Sequence, residues 1–454
     1  MGKYFGTDGI RGIANQDLSE KFARKAGFAI GSSLKACYRG RKLPYFKTID
    51  RSLEHPSVLL GRDTRLSSPQ LADAICTGLR ASGVSVVDLG VVPTPFVGLF
   101  TNRFNAIGGV MVTASHNPVE YNGIKVFRSD GIKIGAKTEG IIESVIDACA
   151  DIPSTHLGSV SRLDTIPLYI KYLHRNNRVS GKGVRVALDM AHGAACGIAE
   201  EVFSSFGFDV VPLCEKPNGS MINVKCGATD IAKLQSSVKK NKAHWGFALD
   251  GDADRVVAVD ANGAAVNGDL LMALLALEHK PYLKSGKLVF THMTNRGIEL
   301  HLQKNGIKTY RTGVGDAAVL KAMRRLGALI GGEQSGHIIC WDKTCGGDGI
   351  LVALFVSELL TREHLSLAGF VKSIPVYEQV LTNLKLKRNG RWEDEATLGK
   401  QLHSLHAKYA DVRLYIRSSG TEKLVRILTE AESRATAQQA NDDVVAVFNA
   451  YDSK

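Results

Sequence analysis

The amino-acid sequence predicts an α/β protein, with three successive mixed α/β domains and then a smaller C-terminal α+β domain. Three observations lead there. Short apolar β-type runs alternate with helical stretches over most of the chain, the pattern of layered α/β units with largely parallel sheets. The C-terminal segment breaks that alternation, grouping strands before a closing amphipathic helix. The chain has 454 residues, more than one hydrophobic core supports, since cores stop growing near roughly 250–300 residues.

In chain order, residues 84–89 and 107–113 read as strands of the first unit, with a helix over 69–81. The second unit carries strands at 184–190, 246–250 and 256–260 and a helix over 197–206. The third has strands at 288–291, 308–312 and 328–332, with helices over 270–279 and 317–326. Strands at 381–387, 412–417 and 424–430 and a helix over 435–451 form the last. The expected domain limits are 1–155, 156–259, 260–372 and 373–454.

Composition narrows the function. The net charge is +12, but Lys and Arg are scattered and the densest stretch, 39–47, is short. Nucleic-acid binding calls for clustered basic residues with interleaved aromatics; a scattered excess suits a cleft that attracts small phosphorylated anions. No apolar run reaches the roughly 18–20 residues of a membrane span, and the N-terminus lacks an apolar signal region. A cytoplasmic protein with neither nucleic-acid nor membrane partners is expected. The eight cysteines include no CxxC pair, and they read as buried reduced thiols.

The chemistry lies in loops that follow apolar strands, where ligands gather in open α/β sheets. In the first, Gly108 to Thr113 run into Ala114-Ser115-His116-Asn117-Pro118. Pro118 stops the strand, so Ser115 is presented at its end with His116 and Asn117 as hydrogen-bonding neighbours. Alone, this reads as an ordinary turn, because Ser, Asn and Pro form turns. In the second loop, Asp250-Gly251-Asp252-Ala253-Asp254-Arg255 follows an apolar strand. Carboxylates at i, i+2 and i+4 repel one another unless a cation sits between them, and hard oxygen ligands call for Mg²⁺ or Ca²⁺. An EF-hand fails, since its sixth position would be Arg255 and its twelfth Ala261.

Three further loops complete the set. Gly331-Gly332-Glu333-Gln334-Ser335-Gly336-His337 offers Glu333, Ser335 and His337 to sugar hydroxyls, and His337 can exchange a proton near neutral pH. Arg417-Ser418-Ser419-Gly420-Thr421-Glu422-Lys423, with Arg426 beyond, makes a cradle for a phosphate dianion. The N-terminal Phe5-Gly6-Thr7-Asp8-Gly9-Ile10-Arg11-Gly12 suits a loop folding over a reacting phosphate, with Arg11 as its cation.

This set, in this order, resembles the α-D-phosphohexomutase superfamily over nearly the whole chain. The motifs TASHNP and DGDADR are highly specific together, and GGEQSGH points to the bacterial phosphoglucosamine mutase branch. The resemblance implies four domains around a central cleft. It implies a phosphoserine at Ser115, and one Mg²⁺ held by Asp250, Asp252 and Asp254 with an oxygen of that phosphoserine. Lys125 is then the general acid/base, with Arg11 and His337 assisting at the reacting centre. Glu333 and Ser335 read the sugar hydroxyls, while Arg417, Ser419, Gly420, Thr421 and Arg426 grip the phosphate that does not react. The implied reaction interconverts glucosamine 6-phosphate and glucosamine 1-phosphate through a 1,6-bisphosphate, feeding UDP-N-acetylglucosamine and cell-wall synthesis. A homodimer is compatible with the resemblance.

The sequence departs from the pattern in places. Lys423 stands where the family usually has proline, and the basic stretch 39–55 is longer than the usual connection to Gly61-Arg62-Asp63-Thr64-Arg65. Met190 and Arg296 are unusual at their positions. Two other readings stay open: a phosphomannomutase or phosphoglucomutase, and a non-catalytic sugar-phosphate sensor on the same fold.

Overall fold

A computed structural model of the chain describes residues 2–38, 53, 56–152, 157–362, 365–387, 392–418 and 424–453. Ser419, Gly420, Thr421, Lys423 and nearly all of the basic stretch 39–55 lie outside the described residues.

Among the described residues, four sheets follow one another along the chain. The first has seven strands in the order Phe5–Gly6, Gly9–Ile13, Tyr121–Arg128, Gly108–Val112, Ser57–Arg62, Ser85–Val91 and Val160–Arg162. The second runs Ala265–Val266, Val256–Asp260, Trp245–Leu249, Arg185–Asp189 and Asp209–Leu213. Lys308–Thr312, Lys287–Thr291, Ile330–Gly332 and Ile338–Cys340 form the third; Glu378–Lys385, Leu424–Ala431 and Arg413–Ser418 form the fourth. Sheet membership runs past residue 155 in the first case and past residue 259 in the second.

The expectation of largely parallel sheets needs correcting. Each α/β unit is mixed, and in each the strand that returns from a chemistry-bearing loop runs antiparallel to the strand that leads into it. Gly108–Val112 pairs antiparallel with Tyr121–Arg128, Trp245–Leu249 with Val256–Asp260, and Ile330–Gly332 with Ile338–Cys340. The three loops are therefore strand-to-strand connections rather than strand-to-helix turns. Polar residues between two apolar runs fit both cases, which is why periodicity alone does not separate them.

One hydrophobic core runs through the first three units, joining Phe96 and Phe100, Phe203 and Phe247, and Phe290 and Phe355. The ring of Phe96 lies 4.1 Å from that of Tyr169. The helices Gly268–Glu278 and Gly349–Arg362 are apolar nearly all round, and most of their residues are buried, as expected of helices covered on several sides. The fourth unit has a separate core around Val425, Ile427, Val444 and Phe448. Among the described residues no helix is long and apolar enough to cross a membrane. The cysteines are all free, but Cys37 is exposed and Cys76, Cys196 and Cys214 are partly exposed, against the expectation of uniformly buried thiols.

Candidate active site

Ser115 sits at the tip of the first loop with φ +53°, a left-handed conformation that non-glycine residues adopt at some cost. The surroundings enforce it. Its amide donates to Thr113 Oγ1 at 2.9 Å, and Thr113 donates to Asp63 Oδ2 at 2.8 Å. The fully buried Arg65 pairs with Asp63 and spreads its other donors over four carbonyls: Ser115 (3.0 Å), Asn117 (2.8 Å), Pro118 (2.5 Å) and Tyr121 (2.9 Å). From the second unit, Asn223 Nδ2 reaches the same Ser115 carbonyl at 2.9 Å.

The hydroxyl of Ser115 donates to Asp250 Oδ2 at 2.7 Å, which joins the first two loops. Asp250, Asp252 and Asp254 are all buried, and each can place a carboxylate oxygen within 4.8 Å of the others. Lys125 comes from the returning strand of the Ser115 loop. It reaches Asp252 at 2.8 Å, Asp254 at 3.0 Å and Asp8 at 3.4 Å. Thr94 also donates to Asp252 Oδ2. Among the described residues, Oδ1 of Asp252 and Oδ1 of Asp254 are buried with no hydrogen-bond partner within 3.5 Å, His337 Nδ1 standing 3.6 Å from the latter, a costly arrangement unless something else meets them. Two orphaned carboxylate oxygens beside a third carboxylate fit a hard cation.

Burial, followed by repulsion from Asp254 and Asp252, raises Asp250 to about 8. Burial also disfavours charge on Asp254, yet Lys125 and then His337 hold its carboxyl well below the usual range. Lys125 behaves in the complementary way: burial opposes its charge, but Asp252, Asp254 and Asp8 raise it well above an ordinary lysine. It is a charged donor in this arrangement.

A second string of charges closes the site. Arg11 donates to Asn117 at 2.7 Å and pairs with Asp8. Asp8 pairs with Lys133, whose Nζ also lies 2.7 Å from Asp316. His337 stands 3.6 Å from Asp254 and 3.8 Å from Asp316. Its Nε2 accepts from the Gly347 amide at 3.2 Å, leaving the ring proton on Nδ1, toward Asp254. Although burial opposes it, those two carboxylates raise the pKa of His337.

Glu333 accepts from the Gly315 amide at 2.9 Å, and Ser335 is exposed. Gly336, with φ +91°, passes so close to Val256 that a Cβ there would meet its carbonyl oxygen at 2.2 Å; only glycine fits. Arg11, His116, Lys133, Asp254, Arg255, Asp316, Glu333 and His337 line one cavity of about 480 Å³. Arg417 and Arg426 are cross-strand partners in the fourth sheet and do not line it.

The structure thus brings together Ser115, Lys125, Arg11, His337, Glu333 and the three aspartates. Sequence reading did not single out Asp8, Asp63, Arg65, Thr94, Lys133 or Asp316. The Gly61–Arg65 segment was visible as a motif, but nothing in its spacing tells that Arg65 turns inward. Lys133 and Asp316 lie in unremarkable surroundings and meet only through the fold.

Comparison with known proteins agrees with this architecture. The phosphoglucomutase/phosphomannomutase alpha/beta/alpha domains I, II and III match residues 2–151, 167–263 and 267–377, and the C-terminal domain matches 381–447. The chain is 36% identical to a phosphoglucosamine mutase of Carboxydothermus hydrogenoformans, over 99% of both chains. It is 39% identical to one from Thermoanaerobacter sp., over 95% of each. A solved phosphoglucomutase/phosphomannomutase family protein from Burkholderia thailandensis superposes with a TM-score of 0.82 at 25% identity, covering 98% of this chain and 97% of that one. With four domain matches and full-length relatives at this identity, the chain belongs to the α-D-phosphohexomutase superfamily, in the family of the phosphoglucosamine mutases.

Proposed function

We propose that this chain interconverts glucosamine 6-phosphate and glucosamine 1-phosphate, passing a phosphoryl group through Ser115 and a glucosamine 1,6-bisphosphate. The observation that carries the reading is Ser115 Oγ, 2.7 Å from Asp250 and beside two carboxylates with unpaired oxygens. The choice of amino sugar rests on the full-length relatives, which are phosphoglucosamine mutases.

Asp250, Asp252 and Asp254 are the residues that would hold Mg²⁺, together with an oxygen of phosphorylated Ser115. Such an ion supplies charge neutralisation to a phosphoryl group, which carries about −1.5 to −2 charges on serine. The chain's own groups do the rest. As the C1 hydroxyl of the 6-phosphate attacks phosphorus, the bond to Ser115 Oγ breaks. Lys125 gives Oγ its proton and regains one from the attacking hydroxyl, so it ends the transfer charged. Arg11 and Lys133, which line the same cavity, would offset charge on the transferring group, and in-line positioning does most of the work. The bisphosphate then turns, its 6-phosphoryl group returns to Ser115, and the 1-phosphate leaves. Glu333 and Ser335 read the sugar, and His337 steadies Asp254. Arg417 and Arg426, with Ser419, Gly420 and Thr421, grip whichever phosphate is not reacting.

The test is turnover of glucosamine 6-phosphate against glucose and mannose 6-phosphates, activated by the matching bisphosphate. Preference for the amino sugar is expected. Dominant turnover of a neutral sugar would replace the substrate, and release of inorganic phosphate without isomerised sugar would replace the reaction.

A further inference from the structure

We propose that His192, Cys214 and Cys226 form a binding site for a thiophilic divalent cation, Zn²⁺ above all, separate from the aspartate cluster. A ring nitrogen of His192 and the two sulfurs all lie within 4.8 Å of one another. They come from three loops at one end of the second sheet: His192 follows the strand Arg185–Asp189, Cys214 follows Asp209–Leu213, and Cys226 precedes the short turn Gly227–Thr229.

Several features match what such a cation needs. The Nδ1 of His192 lies 2.9 Å from the Lys216 carbonyl. A carbonyl only accepts, so Nδ1 holds the proton and Nε2 carries the free lone pair. Metal-binding histidines are oriented by this kind of hydrogen bond from the opposite ring nitrogen. The loops are also tied together before any ion arrives. The His192 amide donates to the Cys214 carbonyl at 3.0 Å, and the Asn218 amide to the His192 carbonyl at 3.2 Å. A tetrahedral Zn²⁺ with bonds near 2.0–2.3 Å holds its ligand atoms roughly 3.5 Å apart. Side-chain rotations of about an ångström therefore complete the site, and three protein ligands leave the fourth position to water.

Access and chemistry agree. His192 and Cys214 are partly exposed while Cys226 is buried, so the site has one open side. Zinc binds cysteine as the thiolate, so coordination through the two sulfurs would release their protons to solvent. The aspartate cluster offers only oxygen, which suits Mg²⁺. The two sites thus select different ions. The same loops also touch the first unit: Thr64 Oγ1, in the Gly61–Arg65 segment, donates to the His192 carbonyl at 2.7 Å, and Asn223 donates to the Ser115 carbonyl at 2.9 Å.

The experiment is a Co²⁺ titration of the reduced, chelator-stripped full-length protein, followed by absorbance. A thiolate-to-cobalt charge-transfer band should saturate at one Co²⁺ per chain and vanish when Zn²⁺ is added. Asp250→Asn should keep the band, while Cys214→Ser and Cys226→Ser should lose it. His192→Ala should weaken Zn²⁺ binding about 100-fold in competition with a chromophoric chelator, and it keeps the proposal testable where a serine variant fails to fold. No band in the reduced wild-type protein, a band that survives the double serine substitution, or unchanged Zn²⁺ affinity in His192→Ala would each overturn it.

Discussion

Arg65 donates to the backbone carbonyl of Ser115 at 3.0 Å, across a sequence separation of 50 residues. The same guanidinium fixes three other carbonyls of that loop and its own counterion, Asp63, and both partners are fully buried. No other side chain type could do this, because only a planar, multiply donating cation serves five acceptors from one point.

Arg65→Lys should leave the protein folded but lower kcat at least about 10-fold with little change in KM. An ammonium cannot hold the loop's carbonyls in one plane, so Ser115 would lose its in-line position, and misplacement costs rate steeply. Arg65→Ala should destabilise the protein by about 3–5 kcal/mol, because Asp63 is left as a buried unpaired charge. Steady-state kinetics and thermal melting check the pair; wild-type kcat in Arg65→Lys would remove Arg65 from a positioning role.

Ser115→Ala should abolish mutase turnover while the melting temperature stays within a few degrees of wild type. The hydroxyl bonds at 2.7 Å to a carboxyl that burial and its neighbours raise to about 8 and meets His116 Nδ1 at a long 3.3 Å, and alanine removes almost no packing volume. Intact-mass measurement adds an independent readout. Purified wild-type protein should carry a fraction heavier by one phosphoryl group, and that fraction should be missing in the variant. Residual full activity would shift the acceptor to another residue.

How far the sequence reveals this site depends on what each residue's role requires. Ser115, Asp250, Asp252 and Asp254 are legible because they sit in dense polar motifs where apolar strands end. Glu333 and His337 are legible from their glycine-rich loop, whereas Lys125 becomes legible only through the family pattern. Asp8, Lys133 and Asp316 do not, because their contacts join three separate stretches of chain that meet only after folding. Sheet polarity was misread for a related reason. An apolar run followed by a polar turn looks the same whether the next element is a helix or a returning strand, and long-range pairing decides. The His192–Cys214–Cys226 cluster was illegible for the same cause, since its spacing in the chain follows no metal-binding pattern.

Asp252→Asn should weaken the Mg²⁺ dependence of turnover and lower kcat, because it removes one of the three carboxylates and the charge that faces Lys125 at 2.8 Å. The loss should be partly independent of metal concentration, since the amide also changes the pairing of Lys125 and Thr94. A titration of activity against Mg²⁺ for both proteins separates the two effects. An unchanged half-saturating Mg²⁺ concentration would place the ion elsewhere.

Asp348 gives a pH prediction away from the reacting groups. Its buried carboxyl accepts from the Tyr169 hydroxyl at 2.9 and 2.8 Å and from the Leu351 amide at 3.0 Å. These bonds favour the charged form, but burial outweighs them and raises the group from 3.8 to about 6. Between those values the folded protein binds more protons at this site than the unfolded chain does. Stability contributed by Asp348 is therefore present at low pH, falls as pH rises towards 6, and stays flat above it. From pH 5 to pH 7.5 the loss amounts to about 1 kcal/mol. Asp348→Asn carries no such titration and can still accept from Leu351. Its melting temperature relative to wild type should accordingly rise between pH 5 and pH 7.5. A difference that is constant across that range would mean that Asp348 is ionised throughout, with its hydrogen bonds overcoming the cost of burial.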